Sequence, residues 1–407
     1  MSGGRARTAT RAAAVLLALG LAAFFSGRNA SDLGVYHRTW QRVLDGRDIY
    51  HRRETARPDE PTAFLYPPPF AVLLAPLGAL SFPQVRFAWA LVSSLAALRL
   101  LVLATRLVRL ERGPPARPAL AAGLTALVGL RFLLEDIGHG QVNTVVAALA
   151  VEGAWRAEAG RERSAAPFLA GAIALKLTPA ILLLGWLLLR RWRPALECGG
   201  WLALLLLLPG LFLGPLVNLE LLWRFATDVT AWNYATSVAI PANASLTGAV
   251  HHWLVGFMRH QFDPVIEPAV GDFGPAVGRA VSSALALLVL AGTALWIVRA
   301  RPGPARRTAA LLAAIPLVSP VIWKPHLVAL VPAWALAVHL LLERAAGRAA
   351  GPLVAGMALG NLTTRSVVGR ALSDLSLRWG VVTLGVVATW AGVLLAPAAR
   401  REDEPPA

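Results

Sequence analysis

The chain has 407 residues, of which 56% are hydrophobic and only 15% charged, with a mean hydropathy of +0.57. Soluble domains carry about a quarter charged residues, so this composition excludes a soluble globular fold and predicts an integral membrane protein. The formal net charge of +16 lies in short arginine clusters between apolar runs. That is the pattern of cytosolic membrane loops and not of a basic nucleic-acid-binding face, so no nucleic-acid partner is expected. The single cysteine, Cys198, excludes a disulfide framework and a CxxC metal motif. Abundant Ala, Arg, Gly, Leu and Pro, with only two lysines (Lys176 and Lys324), suggest a GC-rich bacterial source of the actinobacterial kind.

A bilayer crossing needs about 20 apolar residues, and arginine clusters mark cytoplasmic ends. Arg5, Arg7 and Arg11 place the N-terminus inside, and an uncleaved first span over 10–27 leads to a first outer loop, 28–83. Within that loop, Val35, Trp40, Val43 and Leu44 have helical spacing, with Arg38, Arg42 and Arg47 between them. This predicts an amphipathic helix on the membrane surface, its arginines on lipid head groups and its end at Gly46. The short, proline-opened run 68–82 reads as a second interfacial helix.

Span two is expected over 84–106, and spans 118–134 and 142–155 form a hairpin with outer turn 135–141. The stretch 165–189 has arginines at both ends and is expected to break at Lys176-Leu177-Thr178-Pro179, since proline removes a backbone donor and disfavours helix before it. Further spans are expected over 195–214, 277–298, 308–321, 327–342, 350–366 and 379–396, with a long outer loop at 216–276 and Arg400-Arg401 inside. The prediction is a single all-α polytopic membrane domain over 1–407, of about twelve transmembrane helices, in a bacterial plasma membrane with both termini cytoplasmic. In this topology the inner loops are arginine-rich and otherwise bland, whereas every polar motif falls on the outer side.

Asp32, just past the first span, is either a solvated loop carboxylate or helix cap, shared with Ser31, or a general base or orienting carboxylate for an acceptor hydroxyl. His139, Gln141 and Asn143 are either a polar turn with a helix cap or hydrogen-bonding partners of sugar hydroxyls. Glu135 and Asp136 form a carboxylate pair without histidines at metal-ligand spacing. Lys176 interrupts an apolar run and must pair or face a polar cavity, most plausibly a phosphate. Lys324, beside Trp323, is an interfacial anchor or a second phosphate contact, and Arg259 is a more distant third. His326 is an interfacial histidine or an acid/base group. His251-His252 reads as an interface belt with Trp253.

Taken together these pieces resemble glycosyltransferase family 87. They are Ser31-Asp32 with Val35-Tyr36; Gly46-Arg47-Asp48-Ile49-Tyr50; Phe64 with Tyr66-Pro67-Pro68 and Pro76; Gly140-Gln141-Val142-Asn143; Leu175-Lys176-Leu177-Thr178-Pro179; Asn243-Ala244-Ser245-Leu246; and Ser319-Pro320 with Trp323 and His326. The family comprises multi-spanning mannosyltransferases of the GT-C superfamily, among them actinobacterial phosphatidylinositol-mannoside mannosyltransferases.

The resemblance implies a GT-C-like bundle, a polyprenyl-phosphate sugar donor, usually mannose, and a lipid or glycolipid acceptor on the extracytoplasmic side. Inversion at the anomeric carbon and no nucleotide or metal cofactor are implied as well. Asp32 takes the superfamily's catalytic position, with His326 as its acid/base partner. Lys176 and Lys324 are candidates for the donor phosphate. Tyr36, Tyr66, His139, Gln141, Asn143 and Asn243 are candidates for the sugar and acceptor. The chain departs from the family pattern where Trp323-Lys324-Pro325-His326 puts a proline in place of the first of two histidines, which leaves the role of His326 the weakest of the set. The competing class is a transporter or flippase of lipid-linked sugars. That class predicts paired broken helices in two halves, and the sequence offers one break.

Overall fold

The computed structural model describes residues 13, 16–25, 30–50, 64–256 and 268–399. All regular elements among them are helical. After α1 (Leu16–Phe25), helix α2 (Ser31–Leu44) carries Asp32 in its first turn, where a carboxylate suits the positive end of the helix dipole. Gly46, in the left-handed region at φ +66°, turns the chain away after Asp45. Helix α3 (Pro68–Leu73) is opened by prolines, which are preorganised for a first turn, and a 3-10 segment, Ala75–Ala79, follows it. The long helix α4 (Phe82–Arg112) starts at a capping box, with Ser81 N donating to Gln84 Oε1 at 2.9 Å. Helix α5 (Pro118–His139) stops at the left-handed Gly140, and α6 (Asn143–Glu158) begins three residues later.

Helices α7 (Glu162–Leu175) and α8 (Ile181–Leu188) flank the expected break, where Lys176 is extended and Thr178–Ala180 forms a single 3-10 turn. Next come α9 (Trp192–Leu207), α10 (Gly210–Leu213) and α11 (Pro215–Arg224). A π-helical turn, Phe225–Val229, joins α11 to α12 (Thr230–Ser237), and α13 (Leu246–Leu254) follows. The remainder is α14 (Gly274–Ala300), α15 (Pro304–Val318), a 3-10 segment Lys324–Leu330, α16 (Val331–Leu342), α17 (Ala350–Asn361), α18 (Arg365–Arg378) and α19 (Val381–Leu395).

The centre of the bundle is α15 and α16, buried on all sides from Ala305 to Leu317 and from Val331 to Leu340. The apolar window of Lys324–Leu342 is 83% buried, against 22% for α14 and 11% for Trp192–Leu213, so the last two turn their leucines outward, as lipid-facing helices do. Among the described residues four helices are long and apolar enough to cross a membrane, or five if α18 and α19, bent by 69°, count as one span. The expected number of about twelve is not reached by this measure. Several expected spans are short, broken or carry a charge, as Glu152 does in α6.

Four local expectations are corrected. Residues 68–80 do not form the one continuous surface helix expected: a short α-helix and a 3-10 segment make them up. They pack on α2 so closely that a Cβ added to Gly78 would stand 2.8 Å from Gln41 N and from Trp40 C. The apolar face of α2 is covered by protein at Leu33, Val35, Tyr36 and Trp40, whereas Leu44 at its end is exposed. Glu135 and Asp136 lie in the last turn of α5 and not in an outer turn. The stretch 216–276 holds α11 to α13, and within it His251 and His252 are buried instead of forming a surface belt. Residues 257–267, with the candidate Arg259, lie outside the described residues.

The expectation that the arginine-rich end is otherwise bland is also corrected. Glu111 pairs with Arg306 at 2.6 Å, Glu158 with Arg191 at 2.6 Å and Arg307 at 2.7 Å, and Glu162 with Arg191 at 2.7 Å. Acids on α4 and α6 thus tie that end of the bundle to α15, and Glu158 and Glu162 tie α6 and α7 to the start of α9. We expect Gly78→Ala to lower stability by about 1–3 kcal/mol through overpacking against α2, read as an earlier thermal unfolding midpoint in detergent.

Candidate active site

Asp32 meets the turn between α5 and α6. Gln141 Nε2 donates to Asp32 Oδ2 at 3.1 Å, and the Ser31 hydroxyl approaches the same oxygen at 3.4 Å. Asp32 Oδ1 has no hydrogen bond among the described residues and the side chain is half-buried, so one carboxylate oxygen is held and the other is open. This approach depends on Gly140. Its φ of +69° suits glycine, and a Cβ there would lie 2.7 Å from Leu33 Cβ.

From Gln141 the polar contacts continue inward. Asn143 Nδ2 donates to Gln141 Oε1 and, at 2.8 Å, to Asp136 Oδ1, while the Thr144 backbone N–H donates to Asp136 Oδ2 at 2.9 Å. Fully buried Asp136 therefore fixes the first turn of α6. Lys176, freed from helical geometry at the α7–α8 break, reaches across and donates to Asn143 Oδ1 at 2.6 Å. Its ammonium also lies 2.6 Å from His326 Nε2. An ammonium has only protons to give, so Nε2 accepts, and the imidazole proton sits on Nδ1, which donates to Trp323 O at 3.1 Å. Asp32, Gln141, Asn143, Lys176 and His326 thus form one hydrogen-bonded chain drawn from four separate parts of the sequence.

An aromatic wall backs this chain. The Tyr36 hydroxyl donates to the Tyr66 hydroxyl at 2.7 Å, and Tyr50 OH donates to Tyr66 O at 2.7 Å. The Lys176 ammonium stands 5.3 Å from the centre of the Tyr66 ring, a cation–π contact. Trp89 Nε1 donates to Gln141 O at 3.3 Å, and Phe70 packs edge-on to Tyr36 at 4.8 Å. Burial, aided by the Asp32 charge, raises the phenol pKa of both Tyr36 and Tyr66 above the ordinary range, which keeps both hydroxyls protonated donors.

The structure therefore gathers Asp32, Tyr36, Tyr66, Gln141, Asn143, Lys176 and His326. His139 sits at the rim, exposed, with Nδ1 3.4 Å from the Ser31 hydroxyl. His326 has both nitrogens engaged, which fits holding Lys176 better than free acid/base work. Lys324 joins none of these bonds and has Arg131, Glu135 and Arg365 as its electrostatic neighbours.

Asn243 is placed elsewhere. Its Nδ2 donates to Val238 O at 3.2 Å and Pro320 O at 3.0 Å, and its Oδ1 accepts from Ser245 N at 3.1 Å and Ile322 N at 2.9 Å. Every bonding position of that amide is taken by backbone, so Asn243 clasps the Ser319-Pro320 turn instead of facing a sugar. The residue that sequence reasoning undervalued is Asp136. The available signal was an acid at the apolar end of a helix, seven positions before an asparagine across a glycine turn. We expect Asn243→Ala to cost about 2–4 kcal/mol of stability by orphaning buried backbone groups, measured by thermal unfolding.

None of the curated proteins matches the chain. Among solved structures it is similar to the crystal structure of ArnT from Cupriavidus metallidurans bound to undecaprenyl phosphate. The identity is 16% and the TM-score 0.48, and the alignment covers 96% of this chain and 76% of that one. That likeness is too distant to assign a function. Residues 64–320 match glycosyltransferase family 87. The match covers more than half of the 407 residues and includes Tyr66, Gln141, Asn143, Lys176 and the clasp around Asn243, and the chain belongs to that family.

Proposed function

We propose that this membrane glycosyltransferase moves a hexose, mannose in the first instance, from a polyprenyl-phosphate donor to a hydroxyl of a lipid or glycolipid acceptor on the extracytoplasmic side. The observation that carries the reading is the continuous chain from an open carboxylate oxygen on Asp32 to the ammonium of Lys176. The open Oδ1 accepts the proton of the acceptor hydroxyl as that oxygen attacks the anomeric carbon from the face opposite the phosphate. The C–O bond to phosphate breaks, its electron pair leaves on the polyprenyl phosphate, and the configuration inverts.

Charge then gathers on the leaving phosphate, where a preorganised cation lowers the barrier most. Lys176, held by Asn143 and His326 over the Tyr66 ring, supplies that cation. His326 positions it, and the aromatic wall of Tyr36, Tyr66 and Trp89 offers the sugar an apolar face with protonated hydroxyls. A lipid-borne donor fits a site at the end of apolar helices, since its tail stays in the bilayer while its head enters. The bend between α18 and α19 adds a second break to the one at Lys176, but membership of a glycosyltransferase family favours the enzyme over a transporter.

Purified protein is to be given polyprenyl-phosphate mannose and a panel of lipid acceptors. We expect Asp32→Asn to lower the transfer rate about 10²–10⁴-fold and Lys176→Gln to lower it about 10²–10³-fold, with unchanged unfolding midpoints for both. Full activity of Asp32→Asn would remove the base assignment. Failure of every polyprenyl donor, together with substrate uptake by vesicles holding the protein, would favour the transporter. In a Cys198→Ser background, Asp32→Cys is expected to react with an impermeant thiol reagent added outside intact cells, and protection there would reverse the orientation.

A further inference from the structure

The far end of α6 from Asn143, about 18 Å away along the helix axis, carries a second assembly that the transfer reaction does not use. Three arginines, two from α4 and one from the α6–α7 turn, converge on Trp155, and a fourth from α6 lies on Phe168 beside them. The guanidinium of Arg106 lies 5.1 Å from the indole centre, Arg161 5.7 Å and Arg99 6.0 Å, while Arg156 stacks on Phe168 at 4.4 Å. One buried carboxylate serves the group, with Glu152 accepting from Arg99 Nε at 2.8 Å and from Arg156 Nε at 2.5 Å. The neighbouring acids Glu158 and Glu162 are committed to Arg191 and Arg307. Arg106 and Arg161 therefore have no carboxylate partner among the described residues, and both are exposed.

Gathering three guanidiniums around one ring, with a fourth beside them and one acid between, leaves uncompensated positive charge, which costs free energy unless an anion shares the site. Arg99 and Arg106 are seven residues apart on one face of α4, about 10 Å along its axis, so with Arg161 and Trp155 the donors form a basic patch that extends along α4. Arginine forks match phosphate oxygens in pairs, and tryptophan favours the head-group level of a bilayer. A basic patch with this layout on membrane helices suits a phosphate carried on a lipid.

We propose that the patch formed by Arg99, Arg106, Arg161 and Trp155 binds the phosphate head group of an anionic phospholipid in the leaflet opposite the transfer site. Glu152 and Arg156 hold Arg99 in place, and Arg106 and Arg161 supply the open donors. The bound lipid ties α4 to the α6–α7 turn at the end of the helix whose other end holds Asn143.

The test uses the full-length protein in nanodiscs of phosphatidylcholine doped with phosphatidylglycerol, with thermal unfolding and native mass spectrometry as readouts. We expect phosphatidylglycerol to raise the unfolding midpoint and to remain bound. Affinity should fall roughly 30-fold in an R106Q/R161Q variant, at about fivefold per arginine. A charge-matched control, R299Q/R348Q, alters exposed arginines away from Trp155 and should keep the lipid. Equal retention in both double variants would overturn the proposal, as would equal stabilisation by inorganic phosphate without lipid. Because both substituted side chains are exposed, each variant is expected to fold, and its unfolding midpoint in pure phosphatidylcholine verifies that directly.

Discussion

An ammonium placed in the middle of an apolar segment has to be given partners, and the site is arranged around that requirement at Lys176. Continuing the helix through residue 176 would have pointed the charge at hydrocarbon or at packed alanines. Pro179 prevents this, and the chain extends at Lys176 so that Nζ meets Asn143, His326 and the Tyr66 ring together. Each partner is itself fixed, Asn143 by buried Asp136 and His326 by the Trp323 carbonyl. The cation therefore costs the fold little reorganisation when charge develops beside it, which is the condition for electrostatic catalysis.

The carboxylate at the other end obeys a different constraint. Asp32 lies on a short helix that must come close to the Gly140 turn, and the missing side chain at Gly140 permits Leu33 to approach. The 3-10 segment containing Gly78 presses on the same helix from another direction. Two close glycine contacts and the aromatic wall thus set where one carboxylate oxygen points. At the opposite end of the bundle, ion pairs among Glu111, Glu158, Arg191, Arg306 and Arg307 perform the equivalent task for α4, α6, α15 and the start of α9.

Much of this was legible wherever a local rule acts on consecutive residues. The helix break at Lys176 was read from one proline, the stop at Gly46 from one glycine, and the membrane character from composition. Contacts between distant segments were not legible in the same way. Asp32 and Gln141 are 109 positions apart and Lys176 and His326 are 150 apart, and no periodicity encodes such pairs. Residues 68–80 misled because an apolar, proline-rich run reads alike whether lipid or protein covers it. Asn243 misled because an amide inside a motif can serve the backbone as readily as a ligand. Glu152, Glu158 and Glu162 escaped notice because counting arginines hides the acids that pair with them.

The central claim is that Asp32 and Lys176 act through one connected site on one transition state. A double-mutant cycle on the transfer rate tests it directly, with Asp32→Asn, Lys176→Gln and the combined variant assayed against the same polyprenyl-phosphate mannose donor and lipid acceptor. Groups that act as a unit give strongly non-additive losses. The combined variant is expected to be scarcely slower than the worse single variant. Losses that multiply in full, as for independent sites, would contradict the account.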